Sequence, residues 1–171
     1  MKSIAFFPGH ARLAGAFLLL ALFLAGCGFH LRETKPLPFR TLYLSIPEQS
    51  ELGAALRRQI LATGSTTLVD QVDGAQAILT VTSDSKEKTI LSLNAAGRVR
   101  EFLLRQRFAF RVHDGKGKDF LPQNEIRVSR DISYSDSELL SKDAEEALLY
   151  RDMQADLVQQ IMRRLAAAKV E

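Results

Sequence analysis

Residues 98–113 read RVREFLLRQRFAFRVH. Phe102, Leu104, Phe108, Phe110 and Val112 fall on one side of an extended chain, and Gln106 is the one polar break among them. Glu101, Arg105, Arg107 and Arg111 fall on the other side. Alternation with a period of two over that length predicts a strand with one face in a core and the other turned out. Turn residues bound it on both sides: Asn94-Ala95-Ala96-Gly97 before and Asp114-Gly115-Lys116-Gly117 after. Short turns of this composition join antiparallel neighbours. Ala77–Leu93 is therefore read as the preceding strand, with a charged patch, DSKEK, that marks a bulge or kink. Ile126–Tyr134 is the following one. Its Ile126, Val128, Ile132 and Tyr134 share a face, and Arg130 is the misfit on that face.

Moving outward, Thr41–Ile46 (TLYLSI) alternates and predicts a first strand, ended by Pro47. Ser50 is placed to cap a helix that follows, in which Leu52, Leu56 and Ile60 repeat every four residues and Gly64 is the C′ residue. Asp143 with Glu146 has capping-box spacing and predicts the start of a long helix reaching about Ala168. Leu149, Met153, Leu157, Ile161 and Leu165 form its apolar stripe. The order β-α-β-β-β-α predicts an α+β fold. The expected architecture is a two-layer sandwich: a four-stranded, mostly antiparallel sheet with two helices on one face.

The beginning of the chain has a different character. Lys2 and Arg12 precede Leu13–Ala25, an uncharged run of 13 residues. A membrane-spanning helix needs about 20 apolar residues, so this run suits a signal-peptide core. Leu24-Ala25-Gly26-Cys27 follows and resembles a lipobox, the signal of bacterial lipoproteins; the alternative is a core cysteine after a short apolar helix. The expected organisation is a removed signal peptide over 1–26, a lipidated tether over 27–40 and one domain over 41–171. The resemblance implies that Cys27 carries a diacylglycerol on sulfur and an acyl group on its new amine. Several chains on one residue anchor firmly where a single chain holds marginally. Loss of Lys2 and Arg12 takes the formal charge from +3 to +1. Gly28, rather than Asp, follows the cysteine, which resembles the outer-membrane class and implies a location on the periplasmic side.

Such a small net charge, without aromatics among the arginines, argues against a nucleic-acid partner. A single cysteine makes no internal disulfide. His30 and His113 stand in no zinc-binding spacing, and neither a nucleophile elbow nor a phosphate-loop signature occurs. Gly115-Lys116-Gly117-Lys118 reads as a hairpin turn. Asp84, Asp131 and Asp136 are scattered acids on strands and loops, which read as solvated surface. No enzyme, metal or cofactor is expected. Arg98, Arg100, Arg105, Arg107 and Arg111 lie along one hairpin arm, with Lys142 just before the last helix. They are either a solvated strand face or a site for an anionic ligand, since arginine forks match phosphate and carboxylate oxygens.

Cys27-Gly28-Phe29-His30-Leu31-Arg32 resembles the start of the mature LPS-assembly lipoproteins of the LptE family, C-G-[FW]-H-L-R. The order of elements and Ser141-Lys142-Asp143 ahead of the last helix are similar as well. The resemblance implies a lipoprotein that plugs and helps assemble the LptD β-barrel translocon of the outer membrane, one-to-one. It also implies binding of lipopolysaccharide on its way to the cell surface. Lys142 matches a basic residue implicated in that binding. The family's second such residue, an arginine in the hairpin turn, is replaced here by Asn94-Ala95-Ala96-Gly97, and Arg98 or Arg100 stands in as substitute. The other readings are a periplasmic sugar-binding or hydrolytic lipoprotein, and an accessory lipoprotein of another envelope machine.

Overall fold

The structure is a computed structural model that describes residues 35–134 and 139–170. Cys27, Phe29, His30 and the signal segment lie outside the described residues, as does Asp136. Strand β1 (Thr41–Ser45) leads to helix α1 (Glu51–Ala62), then to strand β2 (Thr67–Val69). A single turn of 3₁₀ helix at Val72–Gly74 precedes β3 (Ala77–Leu93), β4 (Val99–His113), β5 (Asp119–Ser133) and helix α2 (Leu139–Ala166).

The sheet has five strands rather than four, in the order β2-β1-β3-β4-β5. β1 runs parallel to both of its neighbours, β2 and β3, and the two remaining pairings are antiparallel. A parallel pair requires a crossover, and α1 supplies it between β1 and β2. The way back to β3 is short. Gly74 O accepts from Thr41 Oγ1 at 3.0 Å, and Gln76 N donates to the same hydroxyl at 2.8 Å, which pins the link across the start of β1. β2 has three residues, too few for alternation to register in the sequence.

One core lies between the sheet and both helices. Leu42, Leu79, Phe110 and Val112 of the sheet are fully buried in it, as are Leu56 and Ile60 of α1 and Met153, Leu157, Ile161 and Leu165 of α2. The expected stripes therefore do face the sheet. Leu37 and Phe39 are buried in the same core, so the packed domain begins inside the stretch expected to be tether. Ser50 Oγ accepts from Gly53 N at 2.8 Å and caps α1 as expected. Gly53 is required there: a Cβ would stand 2.6 Å from Pro47 O and 2.7 Å from Ser50 Oγ. Gly64 takes the left-handed conformation, φ 64°, that its place after the helix demands.

Two boundaries differ from expectation. β5 starts at Asp119, not Ile126, and runs through Pro122. Proline is tolerated because β5 is an edge strand. Near it the ladder is irregular between Phe110 and Val112, and Asn124 Nδ2 donates to Phe110 O at 3.2 Å to fill the gap. α2 starts at Leu139, so Asp143 sits inside the helix and the capping box does not form. The glutamate it needs is engaged elsewhere, with Lys88 Nζ 2.5 Å from Glu146 Oε2.

Candidate functional site

The β3–β4 hairpin projects beyond the core. On β3 no residue after Leu79 is buried, and on β4 none before Leu104. A register break between Val81 and Ser83 divides β3. Before it, Leu79 and Val81 oppose Val112 and Phe110 on the core face; after it, Asp84, Lys86, Lys88 and Ile90 oppose Phe108, Gln106, Leu104 and Phe102. An extra residue in a strand switches which parity faces the core. The charged patch is thus carried under the first half of α2.

There it meets aromatic rings. Lys88 Nζ lies 4.5 Å from the centroid of Phe102, and Lys86 Nζ 5.4 Å from that of Tyr150. Phe102 in turn meets Tyr134 edge to face, centroids 5.3 Å apart at 87°. Tyr150 Oη donates to Glu87 O at 3.4 Å. Burial, and then the charge of Glu146, push the Tyr150 phenol above its ordinary pKa, with Lys88 acting in the opposite sense.

Arg100 and Lys142 converge at this end of the sheet. Arg100 O accepts from Tyr134 N at 2.8 Å. One residue back along the chain, Ser133 Oγ accepts from Lys142 Nζ at 3.1 Å. Lys142 also donates to Glu145 Oε2 at 2.8 Å, and its side chain is only 15% exposed. The guanidinium of Arg100 is exposed and, among the described residues, has no ion-pair partner. Arg98 is exposed at the turn, where its N–H donates to Asn94 Oδ1 at 3.0 Å.

The other arginines of β4 behave differently. Arg107 and Arg105 reach Glu87 Oε2 at 3.0 and 3.6 Å, and Arg111 reaches Asp119 at 3.9 Å. On β5, directly opposite Arg107, Arg127 binds Glu125 and holds that carboxyl below its ordinary pKa. This is a charge-balanced strand face. The arm read in sequence as one cationic run is therefore two sets: odd-numbered arginines paired with acids on the open face, and, at the far end, Arg98 at the turn and the exposed Arg100. Arg130, the misfit, is neither buried nor free. It binds Asp156 of α2 and donates to Ser129 O at 2.9 Å. Gln106, 1% exposed, is a polar residue inside the core, and its Oε1 has no hydrogen-bond partner among the described residues.

An open groove of about 510 Å³ lies at the C-terminal ends of β1 and β2, lined by Tyr43, Ser45, Glu48, Arg57 and Asp70 among others. Glu48 is largely exposed and stands 3.7 Å from Arg57, an ion pair rather than an acid–base couple. His113 Nδ1 accepts from Gly115 N at 3.0 Å, leaving Nε2, 2.9 Å from Thr80 Oγ1, as the protonated nitrogen. Both nitrogens are thus engaged in closing the near turn. No cluster of metal-binding side chains exists among the described residues. Nor is any helix among them long and apolar enough to cross a membrane.

A family model described as LptE, Lipopolysaccharide-assembly, matches residues 39–165. The chain belongs to the LptE family. It is 28% identical to the LPS-assembly lipoprotein LptE of Photorhabdus laumondii, over 86% of this chain and 81% of that one. The LPS-assembly lipoprotein LptE of Pectobacterium atrosepticum is also 28% identical, over 86% and 80%. Among solved structures, a lipoprotein B of Nitrosomonas europaea superposes with a TM-score of 0.69 at 39% identity, covering 82% of this chain and 91% of that one. The rare lipoprotein B of Shewanella oneidensis gives 0.63 at 29% identity, covering 75% and 95%. The matched region takes in the whole sheet and both helices down to Leu165, so the LptE fold is the sandwich described above.

Proposed function

We propose that this LptE-family chain is a non-enzymatic lipoprotein, anchored through acylated Cys27 on the periplasmic side of the outer membrane. It plugs and helps assemble a β-barrel translocon of the LptD type, one-to-one, and binds lipopolysaccharide through Arg98, Arg100 and Lys142. The observation that carries the ligand reading is the segregation of charge. The open face balances its arginines with acids, whereas at the far end of the sheet the exposed Arg100 has no ion-pair partner among the described residues, with Arg98 at the adjoining turn and Lys142, itself paired with Glu145, nearby. Lipopolysaccharide carries phosphates and acidic sugars, and an exposed guanidinium forks onto such oxygens.

The balanced face suits the partner. A barrel lumen is polar, and a plug inside it needs a face that stays hydrated without a strong field of one sign. Glu87, Arg105, Arg107, Arg127 and Glu125 form such a mosaic. The test is capture of the tagged, full-length chain from Gram-negative membranes in mild detergent. The expected result is one outer-membrane β-barrel protein recovered in equal amount, with intact-mass analysis showing the acyl groups on Cys27. Recovery without a barrel protein sinks the plug reading, and an unmodified Cys27 sinks the anchor.

A further inference from the structure

Three large aliphatic side chains stand in solvent within four residues at the far end of the hairpin. Ile90 is 58% exposed, Leu91 47% and Leu93 56%. They contribute nothing to the core, to which the last residue of this strand to pack is the half-buried Val81. Nor is the cluster incidental to strand pairing, since the ladder breaks twice there, between Ile90 and Ser92 and between Ser92 and Leu93. Bulges of this kind turn side chains away from the regular pleat. Single exposed aliphatics are ordinary, whereas a contiguous group beside cations marks a contact with something amphipathic.

We propose that Ile90, Leu91 and Leu93 form an acyl-chain contact for the anionic amphiphile whose headgroup meets Arg98 and Arg100. The assignment rests on the lipopolysaccharide reading above and adds to it the lipid half of the ligand. Charge complementarity decides the occupant. Arg100 lies on the partner strand of the same hairpin end and Arg98 at the turn just before it, with Val99 between them opposite Leu93, so apolar and cationic groups sit side by side. That is the pairing an acylated, phosphorylated ligand presents along its own length. The alternation also explains how such a protein handles a lipid without a deep pocket: the cations hold the phosphates while the aliphatics shield the first methylenes.

The experiment compares intact lipopolysaccharide with the same material stripped of its acyl chains, both bound to the full mature chain in one mild detergent. Wild type is expected to prefer the intact form by on the order of a hundredfold, because two or three buried aliphatic side chains account for that much. Ile90→Ser, Leu91→Ser and Leu93→Ser together should erase the preference while leaving affinity for the stripped form and the melting temperature unchanged. A triple variant that keeps the preference overturns the assignment alone. A triple variant that keeps the preference but no longer captures the barrel overturns it in favour of a barrel contact. Wild type that binds neither form overturns this assignment together with the lipopolysaccharide reading. If the triple variant melts early, a photo-crosslinker at position 91 decides the matter: it should capture intact lipopolysaccharide, and capture of protein alone overturns the assignment.

Discussion

The two ends of the β3–β4 hairpin are built from the same kind of ladder and do different things. At the near end, Leu79, Phe110 and Val112 are fully buried against both helices, and His113 and Asp114 close the turn with hydrogen bonds. At the far end no side chain of β3 is buried; Lys86 and Lys88 lean on rings, and Ile90, Leu91 and Leu93 face water. The difference teaches where stability resides. Folding free energy comes from the near end, so the far end is free to carry charge and exposed apolar groups at little cost to the fold.

Mutations can break or sharpen that contrast. The largest effect is expected at the near end: Phe110→Ala should cost about 3–5 kcal/mol, the usual loss for a fully buried phenylalanine, read by urea unfolding. Next comes the junction. Lys88→Ala removes a cation from the Phe102 ring and a partner from Glu146, and should cost about 1 kcal/mol, discounted because the pair is partly solvated. Leu91→Ser at the far end should change stability by no more than about 0.5 kcal/mol, as for other surface sites. A far-end loss equal to that of Phe110→Ala would mean that the tip is part of the core after all.

The smallest effect concerns acid. N–H groups of Lys116 and Lys118 hold the Asp114 carboxyl below its ordinary pKa, and Arg127 does the same for Glu125. Groups depressed in the folded state contribute fully above the ordinary carboxylate range, and the contribution fades as pH falls through their lowered values. Asp114→Asn with Glu125→Gln should therefore flatten the acid limb of the stability curve, followed by circular dichroism. Both residues belong to the near half of the sheet, Asp114 at the turn and Glu125 opposite Ala109. An unchanged acid limb would contradict that assignment.

Much of this was legible in the residues because it depends on period alone. The Phe102–Val112 alternation, the Leu52–Ile60 repeat and the Met153–Leu165 stripe all face the core that they imply. What escaped has specific causes. β2 is too short to show a period. Pro122 masks the start of β5 because sequence does not reveal that the strand is an edge. Leu37 and Phe39 sit among prolines, where burial leaves no pattern. At the site, the arginine arm and Lys142 are legible in the residues as candidates for an anionic ligand, and the resemblance selects Lys142, Arg98 and Arg100 among them. Their separation from Arg105, Arg107 and Arg111 follows from parity and from acids on other strands. The Lys88–Phe102–Glu146 contact was hidden, since it exists only because the break at Val81 reverses which residues of β3 face the helix.

On the proposed function, binding lives at the far end of the hairpin and folding at the near end. The most direct measurement is lipopolysaccharide affinity with melting temperature, taken on one set of charge reversals. Arg100→Glu and Lys142→Asp are expected to weaken binding by about tenfold or more, the loss of a charge-assisted contact, with melting temperature nearly unchanged for the exposed Arg100. Arg111→Glu, at the near end, should leave affinity as it was. Equal loss of affinity from all three, or none from Arg100→Glu and Lys142→Asp, would contradict the account.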